Sequence, residues 1–205
     1  MKIKVLLILV IFAGLGELFS EINLGMGIDL PGNYEVVKTN HGIGSENSAV
    51  LHTGTEVFAE FMKSILAVGN GTLSFGIGAG YLFPRSKDSK EESFEKGEFG
   101  FIPYYLIGKY GIYEKTNMSF YGKFKAGYAK LYGDEEFTGE ADLEGGNFTG
   151  ISCGTILANL VLFEVAFQQY HGESSYRYLD EDIYIDTSSN ITMTNLSILF
   201  GIQIK

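Results

Sequence analysis

Residues 72–83 read TLSFGIGAGYLF, and the two alternating sets within them are unequal. Leu73, Phe75, Ile77, Ala79, Tyr81 and Phe83 form one set; Thr72, Ser74, Gly76, Gly78, Gly80 and Leu82 form the other. A period of two marks a β-strand, whose successive side chains point to opposite faces. Glycine weakens a strand interior, so three on one face require a structural cause. A water-soluble barrel puts bulk inside and polarity outside. Here the bulky face asks for lipid and the bare face for a narrow interior.

The alternation recurs along the chain. It predicts eight strands: Glu21–Leu30, Thr55–Ala67, Thr72–Phe83, Phe99–Ile112, Met118–Leu131, Phe148–Leu157, Leu160–Tyr170 and Ile191–Ile204. Long polar links (31–54, 85–97, 132–147, 171–190) alternate with short turns at 69–71, 114–116 and Ala158-Asn159. Short turns at one end and long links at the other describe an all-β fold, an antiparallel up-and-down transmembrane β-barrel of eight strands. Thr53 to Gly69 also scans as a helix, with a capping box at Thr53 and Glu56 and an apolar stripe. Topology decides for a strand, because seven strands would set two consecutive ones parallel. Ile151 to Phe167 could pass for a short membrane helix, but its alternation favours a hairpin at Ala158-Asn159.

Composition agrees with one such domain. The 205 residues include 27 Gly and only 3 Pro, and 45% are hydrophobic, too apolar for disorder. Met1 to Lys4 is basic and Val5 to Leu15 is apolar, too short to span a bilayer as a helix and matched to a signal peptide. The expected division is 1–20 as signal, cleaved between 16 and 20, and 21–205 as barrel. A net charge of −10 excludes nucleic acid as a partner. Cys153 stands alone, which excludes an internal disulfide and a cysteine metal site. No motif calls for a cofactor.

Gly76-x-Gly78-x-x-Tyr81, the YGKFKAGY of Tyr121–Tyr128, Gly150, Gly154 and the terminal LFGIQIK carry a resemblance. From Glu21 to Ile204 the chain resembles the small eight-stranded outer-membrane barrels of the opacity-protein and outer-membrane β-barrel-domain type. The resemblance implies a Gram-negative bacterium, a cell-surface outer-membrane location and delivery by the barrel assembly machinery. Outer-membrane lipid and lipopolysaccharide are then the surroundings. It supplies no single activity.

Charge placement narrows the candidates. The long links hold 17 acidic and six basic residues, concentrated in Asp134, Glu135, Glu136 and Glu140 and in Asp180, Glu181 and Asp182. Solvation of exterior loops, divalent-cation bridging to lipopolysaccharide, or capture of a basic host or surface ligand would each use such a surface. Neither acidic stretch has calcium-loop spacing, so no metal site is expected. On the small-residue parity lie Glu56, Glu60, Lys123, Lys125 and Glu164. Facing lipid they would be costly; facing the lumen they can pair, as a salt-bridge plug or as an ion path. A structural or surface-binding barrel and a narrow channel for small solutes or ions therefore stay open. A distant third is lipid hydrolysis by His171 and Ser174, although a loop offers no rigid base and orienting acid. The expectation is no enzyme.

Overall fold

A computed structural model describes residues 19–40, 43–88, 97–115, 117–134, 142–180 and 183–205. Eleven strands follow in chain order: β1 (Glu21–Asp29), β2 (Asn33–Asn40), β3 (Ile43–Leu51), β4 (Gly54–Val68), β5 (Gly71–Leu82), β6 (Lys87–Asp88), β7 (Phe99–Lys115), β8 (Met118–Gly133), β9 (Asp142–Leu157), β10 (Val161–Asp180) and β11 (Ile183–Ile204). Eight of them, β1-β4-β5-β7-β8-β9-β10-β11, pair antiparallel in that order, and β11 returns to β1 from Ile22↔Ile204 to Asp29↔Ser197. Closure leaves no free edge, the condition for a sheet in lipid. The remaining strands extend the wall. β2 continues along the edge of β11 beyond β1, β3 pairs with β2, and β6 pairs with β3.

The predicted strands all form, and Thr53 to Gly69 forms β4 and no helix. Gly54, Glu56, Phe58, Glu60 and Met62 turn inward in strict alternation. The predicted links at 31–54 and 171–190 are corrected: much of each is sheet. There the alternation persists in buried Tyr34 and Val36 against exposed Glu35 and Val37. The Ala158-Asn159 turn forms with φ of 52° and 55°, and Leu160 donates to the Leu157 carbonyl at 3.0 Å. Two consecutive left-handed residues are the signature of a two-residue hairpin turn matched to strand twist.

The outer face carries the bulky set. Met26, Phe75, Ile77, Leu106, Phe124, Ile151, Phe167 and Phe200 are exposed around the ring. Tyrosines rim this band: Tyr81 stacks on Tyr132 with centroids 5.3 Å apart, and Tyr110 donates to the Val68 carbonyl at 3.1 Å. An apolar band with aromatic borders fits a bilayer.

The glycines on the inner face have a specific cause. Each faces a large inward side chain directly across the ladder: Gly25 opposite Phe58, Gly76 opposite Met62, Gly78 opposite Tyr105, Gly154 opposite Tyr121. A Cβ at Gly78 would stand 2.4 Å from a Tyr105 ring carbon, and one at Gly25 2.5 Å from the Phe58 ring. The rings lie flat over bare backbone, a pairing that shields the glycine. The opening stretch is thus half of an interlocking set. One irregularity interrupts the wall. The β5–β7 ladder stops at Ala79↔Tyr104, next to Pro103, which has no N–H to donate. The strands meet again at the Arg85–Phe99 bridge.

Gly78→Val should therefore lower the urea midpoint of the folded barrel by displacing Tyr105, at a cost of roughly 1–3 kcal/mol. Gly108→Ala is the control, since the nearest atom to its added Cβ is 3.8 Å away on the outer face. Equal losses in the two variants would reject the interlocking account.

Candidate functional site

The lumen is built from inward positions of all eight ring strands, and its side chains fall into successive layers. Nearest the short turns, Glu21 on β1 pairs with Lys109 on β7 at 2.5 Å. Asn23 donates to Glu21 at 3.3 Å and to Glu60 at 3.4 Å, linking this pair to the next layer. A polar vestibule of about 320 Å³ opens here, lined in part by Ser20, Ser64, Ser74, Lys109 and Gln203.

Four of the five charged residues expected inside meet in the middle. Lys123 Nζ lies 2.7 Å from both Glu60 Oε2 and Glu164 Oε2. Lys125 Nζ lies 2.8 Å from Glu60 Oε1 and 3.3 Å from Glu164 Oε1. Each lysine bridges both glutamates, so the four charges alternate around a closed quartet. All four are essentially buried. Tyr121 donates to Glu164 Oε2 at 3.0 Å and Tyr105 to Glu60 Oε1 at 3.4 Å. The ammonium groups also sit over rings, Lys123 over Tyr121 at 5.0 Å and Lys125 over Tyr105 at 5.3 Å. Burying charge is tolerable only when it is paired in this way, because desolvation costs several kcal/mol per ion.

Glu56 stands apart from the quartet. It lies one inward position beyond Phe58, where Gln168 donates to it at 2.9 Å. Gln168 also reaches Ser197 at 3.0 Å, Ser197 donates to Asp29 at 2.5 Å, and Asn195 donates to the same Asp29 oxygen at 2.7 Å. Arg85 Nη2 is 3.6 Å from Asp29 Oδ2. Above this polar layer, Tyr34, Phe99, Phe101, Phe148 and Tyr170 pack ring to ring at centroid separations of 4.9 to 6.2 Å. With Leu51, Leu82, Leu131 and Met193 they form a buried apolar cap at the long-link end.

Glu21, Asp29, Arg85 and Lys109 were not anticipated. The predicted strand Phe99–Ile112 has aromatics on both sets, which hid the parity of Lys109, and Arg85 falls in a predicted link. Of the acidic surface residues, Asp134 is exposed and accepts from the Glu98 N–H at 3.0 Å. Asp180 closes β10 opposite Ile183. Glu135, Glu136, Glu140, Glu181 and Asp182 lie outside the described residues. His171 and Ser174 do not meet: three apart on one strand, they take opposite faces. His171 pairs with Thr192 at 3.1 Å, whereas Ser174 is buried toward the lumen.

Among solved structures the chain is similar to the outer membrane protein OprG of Pseudomonas aeruginosa, 14% identical over 90% of this chain and 94% of that one, with a TM-score of 0.58. It is also similar to the outer membrane protease OmpT of Escherichia coli, 10% identical over 88% and 96% with a TM-score of 0.38. A third is Ail of Yersinia pestis in complex with a heparin analogue, 11% identical over 86% and 98% with a TM-score of 0.26. No family model and no curated protein matches the chain. The likeness to OprG is one of fold, and it agrees with the closed ring: the chain is an outer-membrane-type β-barrel.

Because each lysine contacts both glutamates, no single ion pair holds the quartet. Glu164→Ala should cost roughly 3–5 kcal/mol by leaving a buried ammonium short of charge. Adding Lys123→Met or Lys125→Met should recover part of that loss to a similar extent in urea titrations of the folded barrel. Recovery with one lysine alone would mean a simple pair, and a cost no larger than that of Glu144→Ala would mean no quartet.

Proposed function

We propose that the protein is an outer-membrane barrel with a plugged lumen that acts at the cell surface and does not conduct solutes through its centre. The observation that carries this reading is the sequence of layers across the interior, an ion-paired quartet below a ring-packed apolar cap. Eight strands enclose a space that side chains can just fill, and here charges neutralise one another across it. An ion entering the quartet would have to displace a contact of 2.7 or 2.8 Å on both sides at once.

The surface role is supported by the strongly acidic links. Asp134 is exposed at the β8 end, and the acidic residues that follow it belong to the same link. Such a surface takes divalent cations shared with lipopolysaccharide, or a basic ligand, through screened long-range attraction. Hydrolysis is not supported by the geometry of His171 and Ser174, which lack a shared face.

In planar bilayers the purified barrel should show no steady conductance. A tag inserted after Glu140 should be labelled on intact cells, while one at Asn70, in a short turn, should be labelled only after lysis. A stable channel from the wild type, unaltered by replacing Lys123 and Lys125, would overturn the plug. Labelling at Asn70 on unbroken cells would overturn the orientation.

A further inference from the structure

The buried charges of the described lumen do not cancel. Glu21, Asp29, Glu56, Glu60 and Glu164 are acidic, and Arg85, Lys109, Lys123 and Lys125 are basic. Lys109 is engaged by Glu21, the two other lysines by Glu60 and Glu164, and Arg85 by Asp29. Among the described residues Glu56 is the acid left with no base within ion-pair distance; its neighbour is the neutral amide of Gln168.

The layer around Glu56 also has unfilled bonding capacity. Asp29 Oδ2 and Asn195 Oδ1 are buried acceptors without a hydrogen-bond donor, and Arg85 Nη1 is a buried donor without an acceptor. Asp29 is 0% and Asn195 2% exposed. Asp29 and Arg85 lie over Gly54, the next inward position to Glu56 on β4. A Cβ at Gly54 would stand 3.3 Å from Asp29 Oδ2 and 3.1 Å from Arg85 Nη1. Both distances are shorter than ordinary contact, so Asp29 and the Arg85 guanidinium already close over the bare backbone and leave no place for a second cation beside Arg85. A buried, uncompensated carboxylate is expensive, so proteins neutralise it with a proton or an ion.

We propose that the layer formed by Glu56, Asp29 and Asn195 takes up one positive charge, as a proton on Glu56. The charged and titratable groups facing this layer are Asp29 from β1, Arg85 from the segment after β5, Tyr105 from β7, Lys125 from β8, and Glu164 and Tyr170 from β10. β11 contributes the neutral groups Asn195 and Ser197. Asp29 with Arg85, and Lys125 and Glu164 within the quartet, belong to sets already neutral overall, so one proton on Glu56 balances the lumen.

The test is a urea titration of the folded full-length barrel, read by its heat-modifiable migration, from pH 5 to 9 in choline chloride and again with sodium or potassium chloride at equal ionic strength. A bound proton makes the wild-type midpoint fall as pH rises, by on the order of 0.5 M per pH unit. Glu56→Gln, a neutral group of the same shape, should remove this pH response and be at least as resistant as the wild type at pH 9 in choline. A wild type insensitive to pH, a midpoint that rises when sodium or potassium replaces choline, or a pH response that survives in Glu56→Gln overturns the proposal.

Discussion

Lys123 and Lys125 point into the barrel from adjacent inward positions of β8, and the carboxylates that receive them come from β4 and β10. None of these strands is the sequence neighbour of another. Lys123 reaches Glu60 across 63 residues of chain and Glu164 across 41. The four charges are compatible with a dry interior only when all are present together, so they report closure of the ring and help to define its register. A slip of one residue in β4 would send Glu60 into lipid and leave both lysines with a single acceptor. Such a device need not add net stability over an apolar core; what it adds is a penalty for every incorrect arrangement.

The rest of the interior follows from the narrowness that the quartet requires. Tyr105 and Tyr121 hydrogen-bond its glutamates and lie under its ammonium groups, so their rings must be flat against the wall. Flat rings need bare backbone beside them, which Gly78 and Gly154 supply. Substituting the glycine and substituting the ring are thus two routes to the same defect. The apolar outer face places no comparable demand on shape, because lipid adapts to it.

Parity made much of this legible in the sequence. A charged residue can face only the lumen in a wall whose other face meets lipid, and that argument located Glu56, Glu60, Lys123, Lys125 and Glu164. It could not say which of them meet, since strand stagger decides that and composition does not. It failed where the two faces lose contrast. β7 is aromatic on both sides, so Lys109 had no assignable side. Beyond the bilayer the outer face is no longer uniformly apolar, so β2, β3 and the far halves of β10 and β11 read as links. The alternation of Tyr34 and Val36 with Glu35 and Val37, in residues favouring strands, was the available signal.

β10 and β11 contain 20 and 22 residues, against the roughly 9–11 that a tilted strand needs to cross the hydrocarbon. At about 3.3 Å per residue the surplus raises a paired ribbon some 20–30 Å above the bilayer edge. The far end of that ribbon, the pair Asp180 and Ile183, is held several screening lengths from the lipid phosphates, which are themselves negative. Asp134, at the end of the shorter β8, sits closer to that plane. Asp134 and Asp180 thus occupy different electrostatic strata, one within the headgroup layer's reach and one projecting past it toward the medium.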